Sequence, residues 1–286
     1  MDSDKYPGTT SRRRFVKGVL GASVLAGVGT AGGAAVTTAT NPAGLGGGNI
    51  EFLGIELVEG PAPRGMPLIP VEIGDDGTIS GLWPEAEQRD VGGRSVAVAQ
   101  TDVGGTTYST EWFQYCGIQD IPAIDPEADQ DNTFRYDESS PYDWQSEDVT
   151  AGDPMNVADF EDYNSWGNGI GQAGLGKPAT GTWRSDGVDS EETLPVQVLR
   201  IADSEADRMR QDPTMAAWLD AAAPENVLAW LSKCTHFCCV PGFKSTPQST
   251  QFNAENDVYC PCHQSVYDPF SLVSESFVAL PRPEGE

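Results

Sequence analysis

Cys234-Thr235-His236-Phe237-Cys238-Cys239-Val240-Pro241 and, further on, Cys260-Pro261-Cys262-His263-Gln264-Ser265-Val266-Tyr267 are the two stretches on which the reading of this chain turns. The chain has six cysteines and two histidines, and all but Cys116 fall inside these stretches. Each stretch presents one cysteine and one histidine at short spacing, C-x-H in the first and C-x-x-H in the second. Two short loops can therefore each offer one thiolate and one imidazole to a common centre. Zinc takes the same four ligands, and two cysteines with two histidines are a common structural zinc set. The additional cysteines tilt the choice. Cys239 and Cys262 sit at matched places in the two loops, and in an exported protein spare thiols so placed are expected to bridge. A bridge between them would close a loop of about 24 residues, contribute ~3 kcal/mol and pin the loops together.

Outward from these loops the pattern is short strands between turns. Residues 226–233 (NVLAWLSK) are apolar enough for a buried strand that delivers the chain to Cys234. Before it, residues 213–222 read as a helix, with Asp212 as N-cap, Pro213 at the first helical position and Pro224 as the stop. Residues 51–58, 95–101 and 194–201 have strand composition, the last with good alternation. Between them, residues 120–163 are acidic, with Arg135 the only base, and carry Pro122, Pro126, Pro141, Pro154, Tyr142 and Trp144. This segment is expected to be a long surface insertion, ordered in part by its aromatics. No internal repeat occurs.

The N-terminus is an address. Residues 11–17 (SRRRFVK) match the twin-arginine export pattern at every position, and an uncharged run rich in Gly and Ala follows to Val36. That run is just long enough to span a bilayer, so residues 1–36 are expected to be a signal retained as a membrane anchor. The basic residues before it place the N-terminus in the cytoplasm and the remainder on the extracytoplasmic face of the cell membrane. Residues 37–49 (TTATNPAGLGGGN) read as a flexible linker.

Charge bounds the partners. Seventeen basic against 43 acidic residues give a net charge of −26. Phosphate binding requires clustered Lys and Arg, so nucleic acid is excluded as a partner. Seven Trp, eight Tyr and the strand pattern argue against disorder. A dense carboxylate surface of this kind resembles the proteins of extremely halophilic archaea, in which high salt screens the repulsion.

The loop residues resemble those of the Rieske iron–sulfur family, whose pattern is C-T-H-x-G-C followed by C-P-C-H-G-S-x-Y; this chain has CTHFCC and CPCHQSVY. The resemblance covers roughly residues 226–283. It implies one [2Fe–2S] cluster, with Cys234 and Cys260 on one iron and His236 and His263 on the other. It also implies a Cys239–Cys262 disulfide, a Ser265 hydroxyl on a bridging sulfide, a Tyr267 hydroxyl on the Cys234 sulfur, and Pro281 in a loop over the cluster. The implied fold class is mainly β: an N-terminal transmembrane helix, an antiparallel β-sandwich base domain over residues 50–225 with the acidic insertion, and a cluster-binding region over residues 226–286. Neutral imidazoles in place of two thiolates leave the cluster less negative, which raises its potential; Rieske centres span about −150 to +300 mV. Hydroxyl donors to sulfur stabilise the reduced form further. On the same resemblance His263 contacts the quinol, and the centre takes a proton with its electron.

The function implied is that of a subunit in a quinol-oxidising complex. Its partners would be a cytochrome b-type membrane subunit, quinol (menaquinol is expected) and an external acceptor such as a cytochrome or copper protein. An electron-transfer partner of another exported oxidoreductase, such as a respiratory nitrate reductase, fits the same head. An oxygenase does not, because two histidines leave none for a further 2-His-1-carboxylate iron site. Three features depart from the family pattern. Cys238 and Gln264 stand where glycines are usual. Twenty-three residues separate His236 from Cys260. The chain stops soon after Pro283, where members of the family usually add closing strands, so upstream segments are expected to complete the sheet. Cys116 and Cys238 remain over, either as separate thiols or as a second bridge from the base to the first loop.

Overall fold

A computed structural model describes residues 49–278, apart from residues 92–93, 116–117, 119–120 and 190–191. The export signal and anchor expected over residues 1–36, the linker up to Asn49, and Pro281 lie outside the described residues. Among the described residues no helix is long and apolar enough to cross a membrane.

The chain is mainly β. In chain order the strands are β1 (Asn49–Glu59), β2 (Met66–Ile69), β3 (Val71–Ile73), β4 (Ile79–Gly81), β5 (Ala86–Val91), β6 (Arg94–Val103) and β7 (Thr106–Ser109). They continue as β8 (Arg135–Tyr136), β9 (Gly176–Trp183), β10 (Leu194–Ile201), β11 (Val227–Leu231), β12 (Gly242–Phe243), β13 (Val258–Tyr259) and β14 (Val266–Val278). Nine of them form one sheet in the order β12-β13-β14-β1-β2-β11-β10-β9-β8, and β3-β4 and β5-β6-β7 form two small ones. Every pairing is antiparallel.

This order explains the sequence patterns. β11 (VLAWL) is buried at every residue because it lies between β2 and β10 in the middle of the large sheet. Its sequence is therefore uniformly apolar instead of alternating. The C-terminal half of β14 alternates exposed and half-buried residues, as a strand does with one face in solvent. β14 pairs along its length with β1, from Asn49↔Val278 to Glu59↔Val266. An upstream strand thus completes the sheet, as expected. Residues 50–225 and 226–278 both contribute strands to this sheet, and the described chain from Asn49 onward falls in one compact unit.

Three α-helices occur among the described residues: α1 (Asp143–Asp148), α2 (Asp203–Met209) and α3 (Pro213–Ala222). α3 has the expected bounds, and the Asp212 carboxylate accepts the Thr214 amide at 2.8 Å. It buries Trp218, which stacks on Trp112 with ring centroids 6.0 Å apart.

The acidic segment is more than a surface insertion. Ala123, Phe134, Tyr142, Met155 and Phe160 from it are buried, and all but Tyr142 belong to the main core. Its carboxylates face water while its apolar residues face in, a division that charge counting along the sequence does not reveal. Buried Arg184 holds the segment by donating to Ala123 O (3.0 Å), Asn132 Oδ1 (2.6 Å) and Ala128 O (2.9 Å). The Tyr142 hydroxyl donates to Phe243 O at 2.6 Å and accepts from Gln197, whose Oε1 takes the Phe243 amide at 2.7 Å. That buried network ties the insertion and β10 to β12, the strand directly after the first loop. Its polar atoms satisfy one another, as burial demands.

Candidate metal centre

β11 delivers the chain to the first loop, as residues 226–233 suggest. The Ser232 hydroxyl donates to Pro241 O at 2.7 Å and closes the base of that loop. Within it, the Cys234 amide donates to Cys239 O at 2.7 Å and the Cys238 amide to Cys234 O at 3.0 Å. The second loop, between β13 and β14, repeats the arrangement: Cys260 donates to Ser265 O and Gln264 to Cys260 O, both at 2.9 Å. Two loops of different sequence share one backbone frame. The fifth residue of each is left-handed, Cys238 at φ 61° and Gln264 at φ 63°. These are the two positions where glycine is usual in the family pattern. The conformation is kept with an L side chain, at a cost of about 1 kcal/mol or more per position. Of the 23 residues between the ligand pairs, 242–259 form the β12–β13 hairpin, which carries a 3-10 turn over Pro247–Phe252 and packs Ala254 and Tyr259 with Val266 of β14 in a small core.

The frame brings the four candidate ligands together as two pairs. Cys234 and Cys260 are buried and lie outside the disulfide. The Cys260 thiol hydrogen-bonds the Cys234 sulfur, which lowers the pKa of the Cys234 thiol and raises that of Cys260. The His236 and His263 rings stand edge to face with centroids 4.8 Å apart. His236 Nδ1 is buried with no hydrogen-bond partner, an orphaned atom of the kind a metal would satisfy. The Tyr267 hydroxyl, fully buried, lies 3.2 Å from Cys234 Sγ. Ser265 is buried as well, and its Oγ accepts the Ala62 amide at 3.2 Å, which leaves its own proton free to be donated.

The bridge between Cys239 and Cys262 is present, with Cα atoms 6.6 Å apart. The Sγ atoms of Cys239, Cys260 and Cys262 lie within 4.8 Å of one another. They are not a ligand set, because two of the three are bonded to each other. Cys238 is itself disulfide-bonded, so the reading of a separate thiol there is corrected. Cys116 lies outside the described residues. Two thiols side by side and two imidazoles side by side fit a mixed-ligand metal group held across the two loops.

One support was not legible in the sequence. The segment from Gly60 to Gly65 (GPAPRG) lies against both loops. The Thr235 hydroxyl donates to Arg64 O at 2.6 Å, and Ala62 donates to Ser265. Gly60, at φ 100°, passes so close that a Cβ would stand 2.5 Å from Ser265 Cα. Pro281 lies outside the described residues; the prolines beside the loops within them are Pro61 and Pro63. Their spacing in GPAPRG was the available signal, obscured by a distance of some 170 residues from the loops. At the outer edge, Phe237 is 66% and Val240 53% exposed, with the Phe237 ring 4.3 Å from His236 and 5.3 Å from His263.

No family model, curated protein or solved structure matches the chain.

Proposed function

We propose that the protein carries single electrons through a Rieske-type [2Fe–2S] cluster held by Cys234, Cys260, His236 and His263, on the extracytoplasmic face of the cell membrane. Residues 226–286 are then the cluster-binding region, carried on a β base and tethered by the N-terminal segment. The observation that carries the reading is the paired donor set on two loops of one backbone frame, cross-linked by Cys239–Cys262. The Tyr267 hydroxyl against Cys234 Sγ adds to it. A cluster bound there supplies a one-electron couple.

The chain's own groups supply the rest. Ser265 and Tyr267 direct hydroxyl protons toward sulfur and favour the reduced form. Burial of both cysteines keeps water from the sulfur side. His263, on the exposed loop, offers its imidazole edge to a quinol hydroxyl and takes its proton. Exposed Phe237 and Val240 give that edge an apolar rim suited to a quinone ring or to a cytochrome b-type membrane subunit. A cytochrome or copper protein would receive the electron, and another exported oxidoreductase is the variant of this reading.

EPR of the dithionite-reduced protein tests it. A signal with mean g below the free-electron value is expected. A silent, zinc-containing sample would overturn the reading in favour of a structural zinc site.

A further inference from the structure

Arg64 is placed unusually for a cation in so acidic a chain. Its guanidinium carbon lies 3.9 Å from the Phe277 ring centroid, 5.0 Å from that of Tyr115 and 5.9 Å from that of Phe52. Among the described residues no carboxylate forms an ion pair with it. The carboxylate whose charge acts on it is Glu275, whose Oε2 is held by the Gly65 amide at 2.8 Å. Burial of Arg64 lowers its pKa, as a desolvated guanidinium requires, and it remains charged throughout the physiological range.

The surroundings of Arg64 lead to the candidate centre. Its carbonyl accepts the hydroxyl of Thr235, the residue after Cys234. Its charge acts on Tyr115, whose hydroxyl donates to Lys233 O at 3.0 Å, and on Tyr267, whose hydroxyl lies 3.2 Å from Cys234 Sγ. We infer that Arg64 is a fixed positive charge that tunes the redox group held by Cys234 and Cys260, stabilising its reduced form. The inference rests on the iron–sulfur reading of the site. A half-buried cation held among aromatic rings is screened less than an exposed lysine in concentrated salt. Reduction adds one negative charge, so a nearby fixed cation raises the equilibrium constant for reduction, and Glu275 opposes it.

The test uses the full-length holoprotein and its midpoint potential, with EPR as the check that the cluster is intact. Arg64→Gln leaves the carbonyl that holds Thr235 and removes the charge. It is expected to lower the equilibrium constant for reduction by about three- to tenfold, on Coulomb attraction between the limits of water and protein interior. The loss should persist in molar salt, and Arg64→Lys should restore most of it. Glu275→Gln should move the potential the other way, and it decides the matter if Arg64→Gln fails to hold its cluster. An unchanged potential in Arg64→Gln with a normal EPR signal overturns the inference, as does an equal fall in the Gln and Lys variants. A wild-type protein without the EPR signal would instead remove the iron–sulfur reading itself.

Discussion

The two ligand loops share a backbone frame, yet one is embedded and the other stands out. In the first, Cys234 and Thr235 are buried, Ser232 and Thr235 are tied to Pro241 and Arg64, and Cys238 and Cys239 are both disulfide-bonded. In the second, residues 261–264 are all exposed, including His263 and the bridged Cys262. Buried anchors hold the first loop, whereas the second depends on its inner residues Cys260 and Ser265 and on the single Cys239–Cys262 link. The difference suits a site in which the inner residues of both loops hold the group and the outer ones, Phe237 and Val240 of the first loop and His263 of the second, face outward.

The largest effect is expected from removing one sulfur from either loop. Cys234→Ser and Cys260→Ser are each expected to abolish bound iron and the EPR signal, because both sulfurs meet at the same buried point. Iron retained in either variant would show that the loops do not contribute equally. Cutting the link comes next. Cys262→Ser should lower stability by ~3 kcal/mol in denaturant unfolding and speed hydrogen exchange at residues 261–264, while the Cys234 amide stays protected. Thiol titration of the unfolded, unreduced and metal-free wild type should find two thiols, those of Cys234 and Cys260. A count of four would refute a bond between Cys238 and Cys116, the remaining cysteine.

The hairpin that feeds the second loop gives a pH-dependent test. Burial, with Asp268 and Glu255 nearby, pushes the Asp257 carboxyl from 3.8 up to about 7. Folding therefore favours the protonated form. The contribution is whole below the ordinary carboxylate value and is lost as pH rises through the raised one. Asp257→Asn should match the wild type near pH 4 and exceed its stability by ~2 kcal/mol near pH 8. Equal stabilities at the higher pH would remove Asp257 as a source of strain there. The smallest effect is expected at Gln264. Replacement by glycine relieves the left-handed backbone and should raise stability by about 1 kcal/mol, with the EPR signal unchanged.

Much of the local structure was legible. Leu194–Ile201 and Pro213–Ala222 have the bounds that alternation and capping imply, because each signal lies within a few neighbouring residues. The candidate ligands were legible for the same reason: C-x-H and C-x-x-H are short-range patterns. The role of the acidic segment is hidden in the sequence because its composition is dominated by carboxylates, while the side chains that join the core, among them Ile124, Phe134, Tyr136, Met155 and Phe160, are a minority within it. Arg64 and GPAPRG escaped because their contacts with the loops cross some 170 to 203 positions, and no local periodicity encodes them.

The residues alone show which side chains could hold a metal group, the short strands and helix around them, and a strongly acidic charge balance. These follow from residue chemistry and near-neighbour geometry. Only the tertiary structure decided that Cys234 and Cys260 meet in a buried pair, that Cys238 is bonded rather than a separate thiol, and that β1 completes the sheet beside β14. It also decided that a segment from the start of the described chain supports both loops. Those outcomes depend on which distant surfaces bury each other, and burial is a property of the packed whole.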